Sequence, residues 1–129
     1  VNEYRAANGR PALKRSGKLE RAARRHAGEL DRLNYVSHVN RAGENLDRRV
    51  GKAGYPRKRR SFISSETIGW GMGREGSARG VLAVLERSAE HRRRVLRGDV
   101  KDLGVGLAAG IPVAAPGPGA TVVLIFGRR

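Results

Sequence analysis

Between Ser16 and Leu33 the apolar positions fall at Leu19, Ala22, Ala23, Ala27, Leu30 and Leu33. Steps of three and four place them on one stripe of an α-helix, and Ser16 is suited to cap its start. Lys18, Arg21, Arg24, Arg25, Asp31 and Arg32 form the opposite, solvated face. His26 sits at the edge of the stripe and reads as a partly buried structural histidine. Before this helix, Val1 to Ala7 already reads as helix. After it, Leu46, Val50 and Ala53 line one side of a short helix that Gly54-Tyr55-Pro56 ends, since proline disfavours helix at the residue before it.

From Glu66 the period becomes two. Glu66, Ile68 and Trp70 point to one face of a strand, and Thr67, Gly69 and Gly71 to the other. Gly71, Gly73 and Gly76 mark a loop, and Ser77 caps a further helix with the stripe Ala78, Val81, Leu82 and Leu85. Ser88 and His91 continue that stripe in steps of three, so one helix is expected to carry a hydroxyl and an imidazole at the end of its core-facing surface. Leu103, Val105 and Leu107 alternate with glycine or alanine. Thr121 to Phe126 is a β-branched, apolar run suited to a buried central strand, and Gly110 to Gly119 reads as a hairpin loop. Helices and strands are partly segregated, which predicts an α+β or layered α/β/α domain around an antiparallel sheet.

Composition narrows this picture. The 129 residues suit one domain with one hydrophobic core. The longest apolar stretches fall far short of the roughly 20 residues that span a bilayer, so no transmembrane segment is expected. No signal peptide is visible, and a chain that opens directly on a helix is expected to have been trimmed at its N-terminus. Cysteine is absent, which removes disulfides and thiol chemistry. The net charge of +15 implies attraction to polyanions such as nucleic acid, anionic lipid or acidic wall polymers. Its densest runs are Arg57-Lys58-Arg59-Arg60, expected in an exposed loop, and Arg92-Arg93-Arg94. A nucleic-acid site would interleave aromatics with such runs. Only Tyr55 and Phe62 flank the first and none flanks the second, so specific nucleic-acid binding is not expected.

Three segments carry chemistry: Ser37-His38, the strand around Glu66, and Ser88-Ala89-Glu90-His91. Two neutral imidazoles and a carboxylate match a three-ligand zinc centre with an open position. The same groups without metal could make a carboxylate-oriented imidazole base, or a hydrogen-bonded cluster that only fixes a cleft. No His-Glu-x-x-His motif and no nucleophile elbow is present. Ser88, three residues before His91, reads as a packing or capping hydroxyl in preference to a nucleophile.

Taken in order, these segments resemble the CAP superfamily, or SCP domain, in its compact bacterial form. Asn2-Glu3-Tyr4-Arg5-Ala6 with Gly9 and Leu13 is similar to the family's opening helix and turn. Leu19, Ala22, His26 and Ala27 are similar to its second helix. Ser37-His38, Gly43, Arg49 and Gly54-Tyr55 resemble the segment around its first histidine. Glu66-Thr67-Ile68-Gly69-Trp70-Gly71 resembles its Glu-Asn-Ile-Ala strand, and Ser88-Ala89-Glu90-His91-Arg92 its Ser-x-x-His-Arg motif. Leu103-Gly104-Val105-Gly106 and Phe126-Gly127 resemble its closing strands. Thr67 stands where the family has Asn, and Leu85 where it has Trp.

The resemblance implies a single domain over residues 1–129, a three-layer α/β/α sandwich with a mainly antiparallel sheet. It implies a cleft formed by His38, Glu66 and His91, with Ser88 at a fourth, often acidic, position. These residues are expected to be catalytic or to hold a divalent ion, zinc or calcium. Gly43-Glu44-Asn45-Leu46 imitates the Glu-Asn-Ile pattern, but it leads into a helix and lies close to His38, so Glu44 is expected to be exposed. The resemblance further implies a secreted or cell-surface protein that recognises or hydrolyses a cell-envelope ligand. Its alternative is a non-enzymatic module for lipid, peptide or protein, with nonspecific polyanion binding as a third reading.

Overall fold

The computed structural model describes residues 1–56, 61–115 and 117–129. The basic run from Arg57 to Arg60 lies outside the described residues. Helix α1 (Asn2–Ala7) leads to a two-residue strand β1 (Lys14–Arg15), the long helix α2 (Gly17–Leu33) and the short helix α3 (Leu46–Lys52). Strand β2 (Ile63–Met72) is followed by a 3-10 turn at Gly73–Glu75, then α4 (Ala78–Arg87), α5 (Ala89–Val95), β3 (Asp102–Ala108) and β4 (Gly119–Arg128).

The strands form one sheet in the order β1-β3-β4-β2. Both β2 and β3 run antiparallel to β4, and β1 pairs parallel with β3. Strand β4 is therefore interior, as its β-branched run predicted, and residues 120–127 are all buried. Its side chains alternate between two cores. Val123 and Ile125 join Leu19, Ala23, Ala27, Leu30, Val50 and Tyr55 on the α2–α3 side. Val122, Leu124 and Phe126 join Val81, Leu85, Val95 and Leu103 on the side of α4 and α5. This is the expected three-layer α/β/α sandwich, and each fully buried Leu, Ile or Phe contributes roughly 2 kcal/mol.

Close approach of α2 to the sheet depends on two glycines. A Cβ at Gly104 would strike Leu19, and one at Gly106 would strike Ala23, backbone included. The alanine stripe of α2 and the glycines of β3 thus fit each other. Helix α2 begins as expected, with the Ser16 side chain accepting from Leu19 N–H, and stops at Asn34 in a left-handed conformation that asparagine tolerates better than most residues.

Two expectations are corrected. Gly71 belongs to β2, where it sits against Glu75 at the turn, so the loop begins later than the glycine spacing suggested. The helix predicted to run from Ser77 through His91 is two helices. Ser88 is extended, with φ −90° and ψ 124°, and separates α4 from α5. His91 therefore does not continue the α4 stripe; it is placed by the new axis of α5.

Candidate functional site

The site is built from a loop, a short helix and a strand. Helix α2 pins the loop that follows it. His26 Nε2 lies 2.7 Å from the Ser37 carbonyl, and since a carbonyl only accepts, Nε2 carries the proton. Glu29 accepts from Tyr35 O–H at 2.7 Å and from Arg41 N–H at 2.9 Å, while the Arg41 guanidinium stacks over the Tyr35 ring. Asn40 and Glu44 then clip the loop closed. Glu44 N–H donates to Asn40 Oδ1 at 2.8 Å, and Asn40 Nδ2 donates to Glu44 Oε1 at 3.1 Å. Asn45 caps α3 by accepting from Arg48 N–H. That helix points Arg49 inward, to a side chain only 6% exposed.

Glu66 on β2 is buried beneath this loop, its side chain 1% exposed. Arg49 grips it as a fork, Nη1 to Oε2 at 2.8 Å and Nη2 to Oε1 at 2.9 Å. The same Nη2 donates to the His38 carbonyl at 2.8 Å, so one guanidinium ties strand to loop. His38 Nδ1 completes the cluster at 2.9 Å from Glu66 Oε1. Burial pushes the Glu66 carboxyl pKa up, but the hydrogen bonds from His38 and Arg49 and the Arg49 charge outweigh it and hold the pKa below the usual range. Glu66 is thus an ionised acceptor. His38 Nδ1–H donates to it, which leaves Nε2 as the ring nitrogen without a hydrogen-bond partner among the described residues, on a side chain 54% exposed.

His91 is half-buried on α5, a helix that packs against β2. Burial lowers its pKa, Glu90 opposes the shift, and the charges of Arg94 and His38 lower it further. The fold joins His38 to Glu66 by a direct hydrogen bond, whereas among the described residues His91 makes no hydrogen bond or ion pair with either. Ser88 lies at the hinge between α4 and α5, and its side chain makes no capping bond.

Glu66 does not fit as one of three metal ligands. Both its oxygens are taken, by Arg49 and His38, and among the described residues no three His, Asp or Glu side chains converge as a metal site. The donors with open positions are the imidazoles. Two further expectations need revision. Glu44 is not exposed; its side chain is 12% exposed and pairs with Lys52 and Arg48. His26 is wholly buried, not partly, and feels the charges of Glu66 and Arg49. The sequence motif marks Arg49 only as a neighbour of His38, and its place at the centre of the site is a finding of the fold. The available signal was its place in α3 between Leu46 and Val50, one turn from each helix end.

A model of the CAP family, described as the cysteine-rich secretory protein family, matches residues 1–110. No curated protein matches the chain. Among solved structures, an outer surface protein from Borrelia burgdorferi superposes with a TM-score of 0.77 at 20% identity, over 99% of this chain and 86% of that one. An extracellular protein containing an SCP domain from Bacillus anthracis gives 0.78 at 20%, over 99% of this chain and 37% of that one. A cysteine-rich secretory protein from Staphylococcus aureus gives 0.64 at 16%, over 99% and 35%. These likenesses establish the shared fold, and the chain spans little more than a third of the last two proteins.

Proposed function

Because this chain belongs to the CAP, or cysteine-rich secretory protein, family, we propose that it is an extracytoplasmic module that binds a cell-envelope ligand through His38 and His91. The observation that carries this reading is the buried Glu66 carboxylate, which fixes the tautomer of a His38 side chain that is itself half-exposed. A basic nitrogen held this way accepts a hydrogen bond from a ligand or a proton from water. Extracytoplasmic placement rests on the similar outer surface protein of Borrelia burgdorferi and extracellular protein of Bacillus anthracis. No described helix is long and apolar enough to cross a membrane.

A divalent ion, in this reading, would be held by the imidazoles, with Glu66 behind His38 as the partner that orients it. Nitrogen donors suit zinc, whereas calcium takes oxygen ligands. Zinc alone is therefore the probe of whether the rings act together. Calorimetry is expected to show zinc binding that His38→Ala and His91→Ala each abolish, with no response to calcium. Solubilised wall fragments are expected to bind with the same two dependencies, and mass spectrometry of the mixture distinguishes binding from hydrolysis. Binding of both probes that survives both substitutions would overturn the assignment.

The Arg49 fork supports a second reading, in which the cluster is structural and the module non-enzymatic. It locks the loop to the strand whether or not a ligand is present. On that reading Glu66→Gln removes one partner of a buried ion pair and costs about 3 kcal/mol of stability, while ligand association persists.

A further inference from the structure

A second cavity, of about 380 Å³, opens where the start of β1, the start of β3 and the end of β4 come together. It shares no residue with the cleft at His38. Arg5, Lys14, Lys101, Arg128 and Arg129 line it, with Asp102 as the one acidic residue. Asp102 is already engaged, accepting from Tyr55 O–H at 2.8 Å and from Arg129 Nε at 3.2 Å. Among the described residues Lys14, Lys101 and Arg128 enter no ion pair.

Arg5 is the unusual member. Its residue is 1% exposed, and its guanidinium donates to three carbonyls, those of Pro11 at 2.9 Å, Val95 at 2.6 Å and Arg97 at 2.9 Å. Those bonds satisfy N–H groups but supply no negative charge. A buried charge without a counter-ion is costly, and this one has no carboxylate partner. Burial, and next the like charge of Arg10, depress its pKa. An anion seated in the cavity would supply the missing charge, with cations from three strands around it.

We propose that the cavity lined by Arg5, Lys14, Lys101, Arg128 and Arg129 is a binding site for a phosphate-bearing anion. Guanidinium groups match phosphate oxygens in geometry as well as charge, and lysines add flexible point charges. The apolar wall of Pro11, Ala12 and Val100 leaves room for a small carbon skeleton on the phosphate. The site is independent of the function proposed for the cleft, because neither set of residues enters the other.

The test uses glycerol phosphate as probe, by calorimetry at about 150 mM NaCl, where attraction between exposed charges is screened beyond about 8 Å. Saturable binding is expected. Lys101→Gln with Arg128→Gln, both exposed at strand ends, is expected to weaken it about tenfold or more. Arg25→Gln with Arg32→Gln removes the same charge from the exposed face of α2 and is expected to leave affinity within about twofold. Thermal melts confirm that both double variants are folded; Arg5, which holds three carbonyls, is left in place. Vesicles of phosphatidylglycerol then identify the source of the phosphate. Vesicle binding that glycerol phosphate displaces assigns a lipid headgroup, and its absence assigns a soluble or polymer-borne phosphate. Either result keeps the site. No saturable binding at this salt, or equal losses in the two double variants, overturns it.

Discussion

At the scale of the residue, His26 sets the response to acid. Its Nε2–H is spent on the Ser37 carbonyl, and Nδ1 is buried with no hydrogen-bond partner. A proton on Nδ1 would be an unpaired charge beside Arg49. Burial, opposed by Glu66 and reinforced by Arg49, accordingly lowers the His26 pKa. The unfolded chain takes up this proton near pH 6.5 and the folded chain only at lower pH. The stability contributed by neutral His26 is therefore complete above about pH 6.5 and lost as pH falls below it. His91 is shifted in the same direction, and the lowered pKa of Glu66 adds its own loss only below the ordinary carboxylate range, near 4.5. We expect denaturation midpoints to drop between pH 7 and 5. His26→Gln keeps an N–H for Ser37 but has no proton to gain, so it should flatten that drop by up to about 1.4 kcal/mol per pH unit. Identical pH profiles for the two proteins would refute the role. His38 and Glu66 were legible in the sequence because their neighbours fixed a motif and a strand period. Arg49 and His26 were less so. Arginine is common on this chain's solvated faces, and helical spacing places a residue on a stripe without saying how much lies above it.

At the scale of the element, three serines stand before helices, and their chemistry differs. Ser16 accepts from Leu19 N–H, and Ser77 from Gly80 N–H at 3.0 Å. Ser88 precedes α5 with extended backbone but caps nothing. Replacing a working cap by alanine costs roughly 1 kcal/mol. Ser16→Ala and Ser77→Ala should each lower the denaturation free energy by about that amount, while Ser88→Ala stays within about 0.5 kcal/mol. A Ser88→Ala loss equal to the other two would mean that its hydroxyl holds the α4–α5 junction. The break itself was hidden in the sequence, because the apolar stripe of α4 continues at the right spacing into Ser88 and His91. Periodicity reports which residues could share a face; it cannot report that the backbone turns between them. The alanine stripe of α2 and the glycines at 104 and 106 are a second case: each set of small residues is plain in the sequence, but only the fold shows that they are partners.

At the scale of the whole molecule, charge governs behaviour, and the fold turns a diffuse excess into a local one. A net charge of +15 repels itself within a compact domain, so screening should stabilise the protein. Melting temperature is expected to rise by a few degrees as sodium chloride goes from about 20 to about 300 mM, because the Debye length shrinks to less than the spacing of many surface charges. The five cations of the strand-end cavity, at positions 5, 14, 101, 128 and 129, are scattered through the sequence and looked like part of the same solvated excess. The sheet order, with β1 and β4 on either side of β3, gathers the last four, and α1 brings Arg5 to them. Phosphate therefore separates the two effects. At equal ionic strength chloride and phosphate screen alike, but an anion that binds the folded state adds stability that grows with its concentration. Phosphate should raise the melting temperature beyond the chloride curve. Lys101→Gln with Arg128→Gln should keep the chloride rise and lose the phosphate excess. Superimposed chloride and phosphate curves for the unsubstituted protein would mean that its charge acts only as a diffuse field.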